Sequence, residues 1–201
     1  MQLGFNVDQS LSLIVGLGNP GAKYDKTRHN VGFDCLSELH HRIGSTALST
    51  KFEGQFTKGS LKGLPVILLW PLTYMNASGR CVSQLASFFK IPNDRTIVLC
   101  DDLSLPLGKL RIRPQGSSGG QKGLADILKS LGTQEIARLR VGIDPAPANW
   151  DVADYVLSRF TADDRSVIDS AIFSACDAIE HWVANGIAAC MNKYNSSQSN
   201  H

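Results

Sequence analysis

Apolar and polar positions alternate with two different periods along the chain. Short apolar runs, and one segment in which basic and apolar residues alternate, predict β-strands at residues 12–17, 52–58, 64–70, 96–100, 109–113 and 139–143. Apolar residues spaced three or four apart predict helices at residues 27–43, 76–89, 121–131 and 162–185. Strands and helices follow one another for most of the chain, which is typical of an α/β fold.

This pattern shows no internal repeat and no domain boundary. We therefore predict a single α/β domain over residues 1–201, a three-layer sandwich in which helices flank a mixed sheet with a mainly parallel centre. Residues 192–201 are polar and are expected to form a disordered tail. No apolar run is long enough to cross a bilayer, and residues 1–10 contain no signal-peptide core. A cytoplasmic protein without membrane contact is expected.

Composition and charge narrow the class of protein. The 201 residues are 43% apolar and 19% charged, which excludes a disordered chain. The five cysteines lack CxxC spacing and are expected to be buried free thiols rather than zinc ligands. The net charge of +2 does not by itself indicate nucleic-acid binding. However, basic residues concentrate between Lys109 and Arg140, and acidic residues concentrate at 151–180.

A glycine-rich motif, G-x-G-x-x-G at residues 16–21, follows the first predicted strand. In dinucleotide-binding proteins this motif opens a helix whose N-terminus binds a pyrophosphate. Here Asn19-Pro20-Gly21 favours a turn, and residues 22–26 separate that turn from the next helix. The acidic residue expected about 20 positions further on, at the end of a second strand, is also missing. A dinucleotide-dependent oxidoreductase is therefore the weakest alternative.

Polar turns after the predicted strands hold the residue types that hydrolysis needs. Asn19, His29, Asn76 and Asp101 lie in such turns, and the carboxyl ends of parallel strands meet at one edge of a sheet. A histidine can take a proton from water, a carboxylate can orient it, and amides can donate to a developing oxyanion. The chain has no G-x-S-x-G motif, which favours direct attack by water over a covalent intermediate.

Spacing alone leaves structural roles open for the same residues. His29 and Asn76 can cap helices, and Asp101 can simply precede a turn. Arg111 and Arg113 can form a solvated strand face. No histidine cluster has the spacing of a metal site, so no metal is expected.

Five motifs in order resemble bacterial peptidyl-tRNA hydrolase, in a match that extends from about residue 12 to residue 190. They are LIVGLGNPG, Tyr24 and TRHNVG within residues 13–32, TYMNxSG at 73–79, DDLxLPxG at 101–108, GSSGGxxGL at 116–124 and RLRVGI at 138–143. Colinear motifs of this kind are far more specific than one glycine loop.

The resemblance implies an enzyme that hydrolyses the ester between an N-blocked peptide and the 3′ ribose of tRNA. Such an enzyme recycles peptidyl-tRNA dropped from ribosomes and needs no metal or organic cofactor. By matching position, His29 would be the general base and Asp101 its stabilising partner. Asn19 would help to distinguish N-blocked from free aminoacyl esters.

The resemblance also implies residues that bind the substrate. Those lining the cleft would be Tyr24, Tyr74 and Asn76. Those meeting tRNA phosphates, which supply most of the salt-sensitive affinity, would be Arg111, Arg113 and Arg140. We expect a monomer without an obligate protein partner.

The chain departs from the family pattern at several positions. Gln121 and Lys122 stand where the family usually has His-Asn, which puts one substrate contact in doubt, although Lys122 could reach a phosphate. Asp102 replaces the usual Glu, and Cys100 replaces a common His beside Asp101. The main alternative is a catalytically idle RNA-binding relative, because a chloroplast intron-splicing factor shares the family's fold.

Overall fold

The computed structural model describes residues 11–196, and this part of the chain forms a seven-stranded sheet. Its strands are β1 (Ser12–Gly16), β2 (Ser49–Lys51), β3 (Gly54–Leu61), β4 (Leu64–Pro71), β5 (Thr96–Asp102), β6 (Leu110–Arg113) and β7 (Ala137–Gly142). Their order is β2-β3-β4-β1-β5-β7-β6. The central strands β4, β1, β5 and β7 are parallel, whereas β2, β3 and β6 pair antiparallel. The predicted mixed sheet with a parallel centre is confirmed.

Helices cover both faces of this sheet. They are α1 (Val31–Arg42), α2 (Ser78–Phe89), α3 (Lys122–Leu131), α4 (Val152–Leu157) and α5 (Ala162–Ser196). Helices α1 and α5 share one apolar core with the sheet, and α2 and α3 share the other. Because side chains alternate along a strand, Ile14 joins the first core while Leu13 and Val15 join the second. The predicted three-layer sandwich is confirmed.

The parallel strands bring their carboxyl ends to one edge of the sheet. Strand β1 leads through a loop and the 3₁₀ helix Arg28–Asn30 into α1. Strand β4 leads through the 3₁₀ helix Met75–Ala77 into α2. In the described residues the glycine-rich loop after β1 leads only into the three-residue 3₁₀ helix Ala22–Tyr24 and not directly into an α-helix, so the geometry of a dinucleotide site is not formed there.

The last helix is longer than the prediction. Gly186 has a non-helical conformation (φ 80°, ψ 173°) and kinks α5, which then continues to Ser196. The Oδ1 atom of Asn195 accepts from the Ile112 N–H at 2.9 Å, and its Nδ2 donates to the Ile112 carbonyl at 3.0 Å. These bonds attach the last turn to the sheet, so residues 192–196 of the predicted tail are helical. Residues 197–201 of that tail lie outside the described residues.

The cysteines are spread through both cores. Cys35, Cys81, Cys100, Cys176 and Cys190 are all free and buried, as predicted. Burial raises the pKa of the Cys81 and Cys176 thiols to about 12 and that of Cys190 to about 11. Within residues 11–196, no helix is long and apolar enough to span a membrane.

Candidate active site

A cleft of about 660 Å³ opens at the carboxyl edge of the parallel strands. Its walls come from the loops after β1, β4 and β5, from the start of α3 and from α4. The cleft brings together most of the residues predicted for the site, namely Asn19, His29, Tyr74, Asn76, Asp101, Lys122 and Arg140. The sequence prediction that these strand ends converge therefore matches the described structure.

The remaining predicted residues lie outside this cleft. Tyr24 ends the 3₁₀ helix Ala22–Tyr24, where the Lys23 ammonium lies 4.6 Å from the centre of its ring. Arg111 and Arg113 lie on β6, the edge strand of the sheet. The structure thus separates these residues from the residues that would act on a bound ester.

The backbone around His29 is tied to the loop after β1. The Asn19 N–H donates to Oδ1 of Asn30, and Nδ2 of Asn30 donates to the Asn19 carbonyl, both at 2.9 Å. Gly32 lets the start of α1 approach the sheet, because a Cβ there would lie 2.5 Å from the Leu99 carbonyl oxygen. These contacts hold the 3₁₀ helix that bears His29 close to the carboxyl end of β5, where Asp101 lies.

Arg28 anchors the other side of the same turn. Its guanidinium, in a residue only 6% exposed, donates to Ser158 Oγ at 2.8 Å and to Asp164 at 3.3 Å. Its central carbon also lies 4.5 Å from the Tyr155 ring centre and 4.9 Å from that of Phe160. The turn that bears the histidine is therefore fixed against the segment that follows α4.

His29 and Asp101 form a shielded hydrogen-bonded pair. Nδ1 of His29 lies 2.8 Å from Oδ2 of Asp101, and the two side chains are 12% and 4% exposed. An ionised carboxylate can only accept, so Nδ1 carries the proton and Nε2 remains an acceptor. This is the arrangement of a general base and the group that orients it.

Asn19 is oriented by a main-chain donor. Its Oδ1 accepts from the Met75 N–H at 2.9 Å, so its Nδ2 is the end that can donate into the cleft. Asn76 follows in the chain, is exposed and lines the same wall. Tyr74, 62% exposed, stands at the rim. One side of the cleft therefore offers amide donors beside the imidazole.

Polar contacts that were not predicted from the sequence hold the cleft together. Nε2 of Gln121 donates to Oδ1 of Asp101 at 3.1 Å, and the Arg140 guanidinium pairs with Oδ2 of Asp102 at 3.0 Å. Asp102 directly follows Asp101, and Gln121 directly precedes α3. The sequence placed each of these residues in or next to a predicted strand or helix. It did not show that they pair, because Gln121 and Asp101 are 20 residues apart and Arg140 and Asp102 are 38 apart.

Helix α4 forms an apolar wall that was also missed. Val152, Val156 and Leu157 line the cleft on this side. Asp151 begins the helix, because its Oδ1 accepts from the Ala153 N–H at 2.8 Å. An aspartate before apolar residues at helical spacing was the signal that could have found this helix.

Strand β6 presents basic side chains to solvent. Arg111 and Arg113 are exposed, and the residues that alternate with them, Leu110 and Ile112, are buried against α5. This confirms the predicted alternation of an exposed basic face and a buried apolar face.

The basic face continues onto β7. Arg111 is paired in register with Arg140, and directly opposed residues project to the same face of a sheet. The row thus leads from the edge strand to a residue that lines the cleft. Arg138, also on this face, is buried and donates to the carbonyls of Gly116 and Ser117 at 2.8 and 2.9 Å, which fixes the loop before α3.

Known proteins share both the sequence and this fold. Residues 13–201 match the family model described as peptidyl-tRNA hydrolase. The peptidyl-tRNA hydrolase of Rhodopirellula baltica is 46% identical over 187 residues, which cover 93% of this chain and 98% of that protein. That of Bacillus cytotoxicus is 45% identical over 186 residues, covering 92% and 100%. The crystal structure of peptidyl-tRNA hydrolase from Acinetobacter baumannii has a TM-score of 0.87 and 34% identity, covering 92% of this chain and 95% of that one.

The sequence match includes all of the motifs that build the cleft, from the loop after β1 to β7. The relatives are named peptidyl-tRNA hydrolase, and the match covers nearly their full length. The alternative of a catalytically idle RNA-binding protein is therefore not favoured. The chain belongs to the peptidyl-tRNA hydrolase family.

Proposed function

We propose that this protein hydrolyses the ester between an N-blocked peptide and the 3′ ribose of tRNA, with His29 as the general base. The observation that carries the proposal is the 2.8 Å hydrogen bond between His29 and Asp101, which faces a cleft in a chain of this family. The products are free tRNA and the released peptide, so the enzyme recycles peptidyl-tRNA dropped from ribosomes.

The chemistry follows from the tautomer that Asp101 imposes. Nε2 of His29 takes a proton from a water molecule, whose oxygen attacks the ester carbonyl. Asp101 stabilises the imidazolium that forms. The tetrahedral oxyanion accepts hydrogen bonds from amide donors in the cleft, for which Asn76 is the candidate. The intermediate then collapses, and the ribose oxygen leaves with the proton held by His29.

Asn19 supplies the preference for blocked substrates. An N-blocked peptide presents a carbonyl oxygen next to its ester-linked residue, and this oxygen can accept from Nδ2 of Asn19. A free aminoacyl ester presents an ammonium, which has only donors and gains nothing from that group. The Met75 N–H supports this role, since it keeps the donor end of the amide available to the cleft.

The tRNA body would bind along the basic face. Arg111 and Arg113 are exposed at the sheet edge, where they can meet phosphates, and Arg140 and Lys122 extend the positive potential into the cleft. Arg140 also pairs with Asp102, which holds its guanidinium in place. Tyr74 at the rim is a candidate stacking surface for the terminal base. We also propose that the protein acts as a monomer.

Incubation with N-acetylated aminoacyl-tRNA tests the proposed function. We expect release of the N-acetyl amino acid together with intact tRNA, and much slower release from the unblocked aminoacyl-tRNA. Tight tRNA binding without release would instead indicate an idle RNA-binding protein. Activity that depends on an added metal ion would contradict the proposed water activation by His29.

A further inference from the structure

We infer that Gln121 is a positioning residue, which orients the Asp101 carboxylate so that His29 can act as a base. The inference rests on the proposed function. Gln121 is 9% exposed, lines the cleft and hydrogen-bonds the partner of His29, Asp101.

Both ends of the Gln121 amide are assigned by their partners. Its Oε1 accepts from the Leu124 N–H at 2.7 Å, and a main-chain N–H can only donate. The other end is therefore Nε2, which lies 3.1 Å from Oδ1 of Asp101 and 3.3 Å from Sδ of Met75. The first turn of α3 thus aims an N–H donor at one oxygen of the buried carboxylate.

This donor determines which oxygen of Asp101 is free for His29. The final side-chain torsion of an aspartate is broad, so the carboxylate needs partners to hold one orientation. Gln121 binds Oδ1, and His29 binds Oδ2. An amide is also uncharged. It therefore leaves the negative charge of Asp101 to stabilise the imidazolium formed during the reaction.

Gln121 has a second role, as the N-cap of α3, and an experiment must separate the two. The variant Gln121→Glu does so. A carboxylate still accepts from the Leu124 N–H, and a negative charge is favourable at a helix N-terminus. However, the introduced carboxyl can donate to Asp101 only while it is protonated. The two roles therefore predict opposite responses to pH.

The measured quantity is the kcat of Gln121→Glu divided by that of the wild type, on N-acetylaminoacyl-tRNA, after subtraction of spontaneous hydrolysis. Two carboxyl groups at hydrogen-bond distance share a proton at low pH and repel each other once both ionise. We expect this kcat ratio to fall by roughly 10- to 100-fold as the pH of the assay is raised from acidic to alkaline, with KM little changed. A ratio that is constant or rises with pH would leave only the capping role.

Gly132→Ala is the matched control. Gly132 ends the same helix with a φ of 66°, so alanine there weakens α3 at its far end without touching Asp101. We expect a lower Tm and a kcat ratio that does not change with pH. If Gly132→Ala reproduces the pH trend, helix stability rather than carboxylate orientation explains it.

A readout without substrate separates this inference from the proposed function. In ¹⁵N NMR, the imidazole shifts of His29 should follow an additional titration step in Gln121→Glu, because the introduced carboxyl acts on His29 through Asp101. The same shifts without an additional step would overturn the inference. A wild type that releases no peptide would overturn the proposed function alone, since the NMR titration would still test the role of Gln121.

Discussion

Hydrogen-bond partners set the orientation of the Asn19, Gln121 and His29 side chains in the cleft. The Met75 N–H fixes the amide of Asn19, and the Leu124 N–H fixes that of Gln121. Asp101 fixes the proton of His29 on Nδ1. It is therefore known which atom of each side chain can donate and which can accept a hydrogen bond. The effect of a single substitution can be predicted from this assignment.

Asn19→Asp should weaken discrimination against unblocked substrates. The introduced carboxylate keeps an acceptor for the Met75 N–H, so the loop should hold its shape, but it attracts an ammonium where the amide donated. We expect the ratio of kcat/KM for N-acetylated over free aminoacyl-tRNA to fall. Asn93→Asp, an exposed site at the opposite end of the sheet, is the charge control. Equal ratios for wild type and Asn19→Asp would rule out this role for Asn19.

At the scale of elements, the sequence predicted the strands and helices that bury a continuous apolar face. It did not predict β2, because residues 49–51 are exposed and polar. It placed the end of the last helix at residue 185, where Asn185-Gly186 is a usual stop signal. The contact of Asn195 with β6, which holds the continuation, is 83 residues distant in sequence.

The site itself was predicted in part, for a similar reason. Motif order identified His29 and Asp101, and strand ends placed them at one edge of the sheet. Their support could not be predicted, because it depends on long-range pairs such as Gln121 with Asp101 and Arg28 with Ser158. Spacing along the chain carries no signal for such pairs.

Strand β6 should bind tRNA through its exposed arginines. Each neutralised phosphate contributes about 0.7 to 0.9 to the slope of log Kobs against log[salt], as measured for DNA. Arg111→Ala combined with Arg113→Ala should therefore reduce the slope for tRNA by about 1.4 to 1.8 and raise KM more than it lowers kcat. Titrations of tRNA binding at several KCl concentrations measure the slope, and steady-state kinetics measure KM and kcat.

The control for this experiment removes the same charge elsewhere. Lys90→Gly combined with Arg95→Ala acts at the opposite end of the sheet, and glycine suits the left-handed conformation of Lys90 (φ 54°). We expect its salt slope to equal that of the wild type. If the β6 variant also keeps the wild-type slope, its arginines form only a solvated face and the tRNA docks elsewhere.

At the scale of the whole molecule, the two cores protect every thiol. With a pKa of about 12, Cys81 and Cys176 have a thiolate fraction of about 10⁻⁴ at pH 8, whereas an exposed cysteine has about a quarter. We expect a thiol reagent to label the native protein slowly at pH 8 and all five cysteines quickly after denaturation. Rapid labelling of a native thiol would show that its core opens readily.

The same folded framework joins a basic face, an oriented imidazole and an apolar wall in one cleft, in which we propose that His29 activates water. The most direct test is single-turnover hydrolysis of N-acetylaminoacyl-tRNA by wild type, His29→Ala and His41→Ala, an exposed histidine on α1. Binding of tRNA is measured in parallel. His29→Ala should bind tRNA as the wild type does and hydrolyse roughly 10²- to 10⁴-fold more slowly, while His41→Ala stays active. A folded His29→Ala protein with near-normal hydrolysis would contradict the claim.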